Sequence, residues 1–434
     1  MKIALINSRD GADLGEDVVA DCLKAALRDR LPGVDVAHFD LDGGVDWREA
    51  VGPAMRAARA LVDASPSDLR RAIVRLAQES FARLYLIRRY REALEGASLA
   101  IFCGDLLSER DGSFPVKLAA ASSVMRALRM KVALYAVGVG ERWSPEAGAM
   151  FREAFVNANF IWASVGDAMS LARWKRHFGR QELAPPTVSV DPVMIAADAY
   201  GGIARPSALS GRRIGLSIAA SSDRPRAEFE ENASARVETA ARAAFYTNMA
   251  RLLIEAGFDI LAFTDGAPAD DAFMRRLFGP KRGHDLPENR IELAPRPTQS
   301  AALVEIIGGC EGVIASRLQT NMLAFALGAP HVGFAGDEAL ETFFRETGRA
   351  AFLAPAGAAA PLVVERLKEA LDAGMDEEAR CALIRRANQD LDKFAVRIAK
   401  SLGMEESAVI RRASSASVAE IRQNASARRG PIAR

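Results

Sequence analysis

Two successive series of short β-branched runs, each run followed by a longer amphipathic stretch, constrain this chain more than any other feature. Parallel strands need a long crossover between them, so such alternation predicts parallel sheets wrapped by helices. In the first series the strand candidates are Lys2–Asn7, Val34–Asp40, Ser98–Asp105, Lys131–Gly138, Phe160–Val165 and Thr187–Val190. Helices are expected over Asp17–Arg30, Pro115–Arg129, Pro145–Ala158 and Ala168–Phe178. The second series predicts strands at Arg213–Ile218, Asp259–Thr264, Arg290–Leu293, Gly312–Ser316 and His331–Ala335. Its helices are expected near 235–256, 268–277, 298–308, 319–327 and 337–347.

Residues 198–212 are rich in Gly, Pro and Ser and lack a period, so they read as a linker. The fold class is therefore α/β, with one Rossmann-like domain over residues 1–197 and a second over residues 213–355. Residues 48–95 are too long for one crossover and read as a helical insertion on the outside of the first sheet. The polar stretch Ser221–Ser234 reads as a loop over the cleft between the domains. A helical extension fills residues 356–434, where Ile384, Ala387, Leu391, Phe394, Ile398 and Leu402 form one apolar stripe. Such a stripe needs a surface to lie on, and the flank of the two domains is the simplest.

Composition excludes several function classes. Lys plus Arg is 57 and Asp plus Glu is 56, a formal net charge of +1, whereas a nucleic-acid binder needs a basic excess. Cys22, Cys103, Cys310 and Cys381 form no CxxC pair, and His38, His177, His284 and His331 never stand at ligand spacing. Neither a disulfide framework nor a metal site is expected, nor a cofactor, and the reducing cytoplasm is the expected compartment. The apolar run after Met1 turns polar at Ser8, too soon for a signal-peptide core. The Arg411-Arg412 and Arg428-Arg429 pairs would support at most peripheral membrane contact.

Four local patterns follow one another in an informative order. Asp13-Leu14-Gly15-Glu16-Asp17 follows the first strand, and Val137-Gly138-Val139-Gly140 ends the fourth. Gly166-Asp167-Ala168-Met169-Ser170 opens a helix before Val190-Asp191-Pro192-Val193. Ala315-Ser316-Arg317-Leu318-Gln319 precedes a helix that closes on Gly328-Ala329-Pro330. Together, from about residue 1 to 355, they resemble the polysaccharide pyruvyl transferase family. The resemblance implies the two-domain GT-B architecture of glycosyltransferases. It also implies transfer of the enolpyruvyl unit of phosphoenolpyruvate to two hydroxyls of a sugar in a surface glycan. The acceptor would be a hexose in a polymeric or lipid-linked glycan.

Two positions depart from the family pattern: Gly166 stands for its arginine and Gln319 for its histidine. A Gln side chain exchanges no proton near neutral pH, and general acid–base assistance is worth about 10²–10⁴-fold. The expected catalytic set is Arg317 for an anion, Gln319 for a sugar hydroxyl or carbonyl, and Asp191 as a general base or an Asx-turn residue. The expected substrate-binding set is Gly15, Glu16, Gly138, Gly140, Arg142, Ser316 and His331. Of these, Arg142 is a second candidate cation, and His331 is a candidate replacement for the family histidine. Glu16 would face the acceptor, while Asp17 suits helix capping. The glycines allow close backbone approach to a ligand or a sharp turn out of the sheet. Two other readings stay open: a glycosyltransferase with a nucleotide-sugar donor, and a binding protein that has lost turnover.

Overall fold

A computed structural model describes residues 1–7, 14–41, 85–109, 114–156, 158–179, 185–201, 212–220, 233–279, 286–334 and 338–405, with positions 183, 336 and 409. Their strands form two six-stranded parallel sheets. The first contains β1 (Lys2–Asn7), β2 (Asp35–Asp40), β3 (Ala97–Cys103), β4 (Lys131–Val137), β5 (Asn159–Val165) and β6 (Thr187–Val188), in the order β2-β1-β3-β4-β5-β6. The second contains β7 (Arg213–Ser217), β8 (Asp259–Phe263), β9 (Ile291–Leu293), β10 (Gly312–Ala315), β11 (His331–Phe334) and β12 (Leu353–Ala354), in the order β12-β11-β10-β7-β8-β9. Strands covered on both faces read as unbroken apolar runs, and Ile3–Ile6 and Val313–Ala315 are buried throughout.

The expected strands all occur, each trimmed or extended by no more than two residues. β12 was not expected. Its two residues, Leu353 and Ala354, are too few to show a period, and pairing with β11 alone makes them a strand. Of the expected insertion only residues 85–95 are described, with a helix at Ile87–Leu94. Most of the expected linker, the loop Ser221–Ser234 as far as residue 232, and the pairs Arg411-Arg412 and Arg428-Arg429 lie outside the described residues.

The two sheets reverse direction at different places. In the first the chain crosses between β1 and β3, and in the second between β7 and β10. Crevices at the carboxyl ends of strands beside such switch points are where open α/β sheets hold ligands. The helix Leu14–Arg30 follows β1 and the helix Leu318–Ala326 follows β10, so both begin at these crevices.

After the second sheet come the helices Ala360–Ala373 and Glu377–Ser401. Asp376 caps the longer one by accepting from the Ala379 amide at 3.0 Å, and Glu377 and Glu378 complement its positive end. Its buried side chains include Ile384, Ala387, Leu391, Phe394 and Ile398, and Leu402 is partly buried against the same core, as the stripe required. Near its start Arg380 donates to the Ala326 carbonyl at 2.9 Å in the second domain. Further along, the Phe394 ring lies 4.7 Å from Tyr135 in the first. The helix therefore spans both domains. No helix among the described residues is long and apolar enough to cross a membrane.

The buried Arg30 fixes this helix to the first domain. Its Nε donates to Asp392 at 2.7 Å and its Nη2 to Asn388 Oδ1 at 2.8 Å. Removing one partner of a buried ion pair costs about 3–5 kcal/mol. Asp392 keeps 19% exposure, so Arg30→Met should cost about 3 kcal/mol, the lower end of that range. Urea unfolding checks this; an unchanged midpoint would mean that the tie contributes nothing.

Candidate functional site

The carboxyl ends of the two sheets face each other across a cleft, and hydrogen bonds between described residues span it. The Leu14 amide, at the start of its helix, donates to the Asp265 carbonyl at 2.9 Å. Gln319 Nε2 donates to Glu16 Oε1 at 2.8 Å, joining residues 303 positions apart. Gln319 and Glu16, expected separately as site residues, are thus in direct contact.

On the first-domain side, Gly15 and Glu16 lie in the first turn of Leu14–Arg30, where a carboxylate also meets the positive helix end. Glu16 Oε2 accepts from the Asp105 amide at 3.2 Å. That approach requires Gly104, whose φ is +83° and whose missing Cβ would collide with Glu16 Oε2. Gly138 is also closely packed: a Cβ there would lie 2.7 Å from Asp105 Oδ1, and one on Gly140 would lie 3.2 Å from the Leu107 carbonyl. These two glycines let the end of β4 press against the 104–108 turn. Asp17 accepts from Asn7 Nδ2 at 3.4 Å.

Asp191 follows β6 and opens the 3-10 turn Pro192–Ile195, accepting from the Val193 amide at 2.8 Å in the expected Asx geometry. The turn packs against Leu318–Ala326 of the second domain. Burial raises the Asp191 carboxyl to about 7, against the pull of the Val193 hydrogen bond, and the charge of Glu16 adds to the rise. A carboxyl poised there holds or releases a proton at neutral pH.

On the second-domain side, Ser316 and Arg317 link β10 to its helix, and both are half-buried. Arg317 Nη2 lies 2.5 Å from Asp270 Oδ2 and Nη1 lies 3.3 Å from Asp265 Oδ2. Asp265 Oδ2 also accepts from Thr320 Oγ1 at 2.9 Å, and Asp270 Oδ1 from the Ala220 amide at 2.7 Å. Arg317 is therefore clamped by two buried carboxylates, a structural role beside its expected anion-binding one. Asp265 and Asp270 escaped the sequence reading because they stand 52 and 47 positions from Arg317. The Asp265-Gly266 turn after a strand was the only local signal.

Two expectations are corrected. His331 does not enter the cleft: it starts β11, at the opposite end of the sheet from the carboxyl edge, and is fully buried. Its Nδ1 lies 2.9 Å from the Ala329 carbonyl, and its ring packs against Phe325, Phe343 and Phe344. Arg142 is 88% exposed beside Glu141 at 3.5 Å, a solvated surface pair rather than a cleft cation. Gly166 has a local reason: a Cβ there would stand 3.2 Å from the carbonyl of Ala136, whose φ is +50°. Among the described residues no group of three or more His, Cys, Asp or Glu could hold a metal ion.

Two outcomes follow from this geometry. Gly104→Ala forces an L side chain into the left-handed region, costing about 1–2 kcal/mol, and displaces Glu16. Its urea midpoint should fall accordingly; an unchanged midpoint would contradict the strained turn. Burial, then the charge of Arg349, lowers His331 to about 3 from an ordinary 6.5, with the Ala329 carbonyl opposing. The unfolded chain binds this proton first, so stability is full above about 6.5 and declines as pH falls toward 3. His331→Phe should flatten that decline in urea midpoints measured at pH 7 and 5, and an unaltered slope would count against it.

Comparison with known proteins agrees with this architecture. S. aureus MnaA, in a co-structure with UDP, matches with a TM-score of 0.56 at 12% identity, over 93% of this chain and 97% of that one. A Listeria monocytogenes structure assigned as a UDP-N-acetylglucosamine 2-epimerase matches with a TM-score of 0.53 at 14% identity, over 92% and 96%. Structural likeness at such low identity shows the fold alone, which is GT-B. No curated protein sequence matches the chain. The family model of polysaccharide pyruvyl transferases matches residues 13–338, three quarters of the sequence, and the chain belongs to that family of transferases.

Proposed function

We propose that this chain moves the pyruvyl unit of phosphoenolpyruvate onto two hydroxyls of a sugar in a surface glycan or its precursor, lipid-linked forms included. The reaction is placed in the cytoplasm, where that donor is made. The observation that carries the reading is the Asp191 carboxyl, raised to about 7 within the influence of Glu16. Ketal formation needs a proton for the methylene carbon and an acceptor for the hydroxyl proton, the work that the family histidine would do. Protonated Asp191 supplies the first. The acceptor hydroxyl then bonds to the cationic C2 and returns its proton to Asp191. Phosphate leaves with the proton of the second hydroxyl, which closes the ketal.

Arg317, oriented by Asp265 and Asp270, and the N-terminal amides of Leu318–Ala326 are the donor-binding groups in this reading. Glu16, held by Gln319, faces the acceptor. A nucleotide-sugar donor is the second reading, favoured by the same two aspartates. They offset the charge of Arg317 and weaken its hold on a small, highly charged donor, whereas a nucleotide adds base and ribose contacts.

Purified protein with phosphoenolpyruvate and a panel of glycans should release phosphate and add the ketal mass to one acceptor. Asp191→Asn should lower kcat by about 10²–10⁴-fold with KM little changed. The same variant should be more stable at pH 8. An ionised Asp191 is disfavoured in the fold, so wild-type stability declines as pH rises from about 4 to about 7, and asparagine lacks that decline. Thermal stabilisation by a nucleoside diphosphate and not by phosphoenolpyruvate would transfer the assignment to the second reading. No turnover with either donor would leave a binding protein.

A further inference from the structure

We propose that the chain carries a second ligand site, remote from the cleft, in which the guanidinium of Arg349 takes a small carboxylate with an apolar body. The site is a cavity of about 420 Å³ at the amino end of the second sheet. It lies between the turn after the helix Glu338–Glu346 and the turn that joins Ala360–Ala373 to Glu377–Ser401. The candidate transferase site is at the other end of the same strands.

Arg349 lines this cavity and is only 4% exposed. Nη1 donates to the Gly374 carbonyl at 3.2 Å, and the guanidinium carbon stands 4.5 Å over the Phe352 ring. Nε and Nη2 are buried with no hydrogen-bond partner among the described residues. Those two N–H groups lie side by side on one edge of the guanidinium, and a small turn of the side chain would present this fork, which a carboxylate meets with both oxygens, to the cavity. No carboxylate among the described residues forms an ion pair with Arg349, and burial alone lowers its pKa, to about 10. It is therefore charged at neutral pH. A buried cation without an anion is strongly disfavoured, and a bound carboxylate supplies the missing partner.

The walls select among anions. Phe325, Phe352 and Met375 offer an apolar surface, while the carboxylates of Glu346 and Asp376 stand at the exposed rim. One cation facing two rim acids disfavours a phosphate dianion and suits a monoanion whose body is apolar. The anchoring contact to Gly374 puts the site against the turn that starts the helix spanning both domains.

Benzoate is a suitable probe, with benzamide as its uncharged equivalent and inorganic phosphate as the alternative anion, each added to the full chain and read by thermal unfolding. At about 100 times its Kd, benzoate should raise the folded-to-unfolded ratio about 100-fold, saturably. Benzamide and phosphate should not. Arg349→Met should abolish the effect, and Arg349→Lys, which keeps charge without the fork, should weaken binding tenfold or more. Ala379→Phe fills the cavity from the facing helix, leaves Arg349 in place, and should abolish it as well. The site is refuted if benzoate does not stabilise the wild type, if benzamide or phosphate does so equally, or if both Arg349→Met and Ala379→Phe respond like the wild type.

Discussion

The helix Leu14–Arg30 carries the polar ties on which the cleft depends. Glu16 accepts from Gln319, Asp21 accepts from Ser300 at 2.6 Å, and Arg30 pairs with Asp392. The first two reach the second domain and the third reaches the spanning helix. Stranding a buried charge costs several kcal/mol, so another docking of this helix would leave Glu16 or Arg30 unpaired. Apolar packing supplies the attraction between the domains, and these groups make one register better than its neighbours. The facing of the two carboxyl edges follows from that register.

Acids gather at the cleft among the described residues. Asp265 and Asp270 are buried carboxylates on Arg317, Glu16 is a third buried carboxylate on Gln319, and Asp191 adds a fourth acid. Burial raises Asp191 toward 7, and the charge of Glu16 adds to the rise. Gln319 fits the same surroundings. A histidine in contact with Glu16 would be drawn toward its charged form, whereas the amide donates one hydrogen bond and leaves the carboxylate as the negative centre. The substitution at 319 and the poised acid at 191 are in this sense a single arrangement.

Much of the fold was legible because its signals are local. Unbroken apolar runs such as Ile3–Ile6 can only be strands covered on both faces, and the stripe from Ile384 to Leu402 can only be a helix lying on something. Asp191 before Pro192 announced its turn for the same reason. What stayed hidden depends on contacts between distant residues. The clamp of Asp265 and Asp270 on Arg317, the contact of Gln319 with Glu16, and the aromatic surroundings of His331 are not fixed by neighbouring sequence. His331 misled because it starts a strand close in sequence to the site, while strand direction places it at the far end of the sheet.

Gly166 and Ala136 connect the backbone to the chemistry. Ala136 interrupts the register between β4 and β5 and holds a left-handed φ, with its amide donating to Ser164 Oγ at 3.0 Å. Its carbonyl then faces position 166, where any side chain begins under pressure. Strain of this kind costs about 1–3 kcal/mol and persists only where surrounding contacts enforce it. A side chain at 166 would therefore start in tight contact with the kink in β4, whose carbonyl would have to give by a few tenths of an ångström. The helix Leu318–Ala326, with Arg317 at its cap, instead places a guanidinium and a positive helix end at the carboxyl edge of the second sheet.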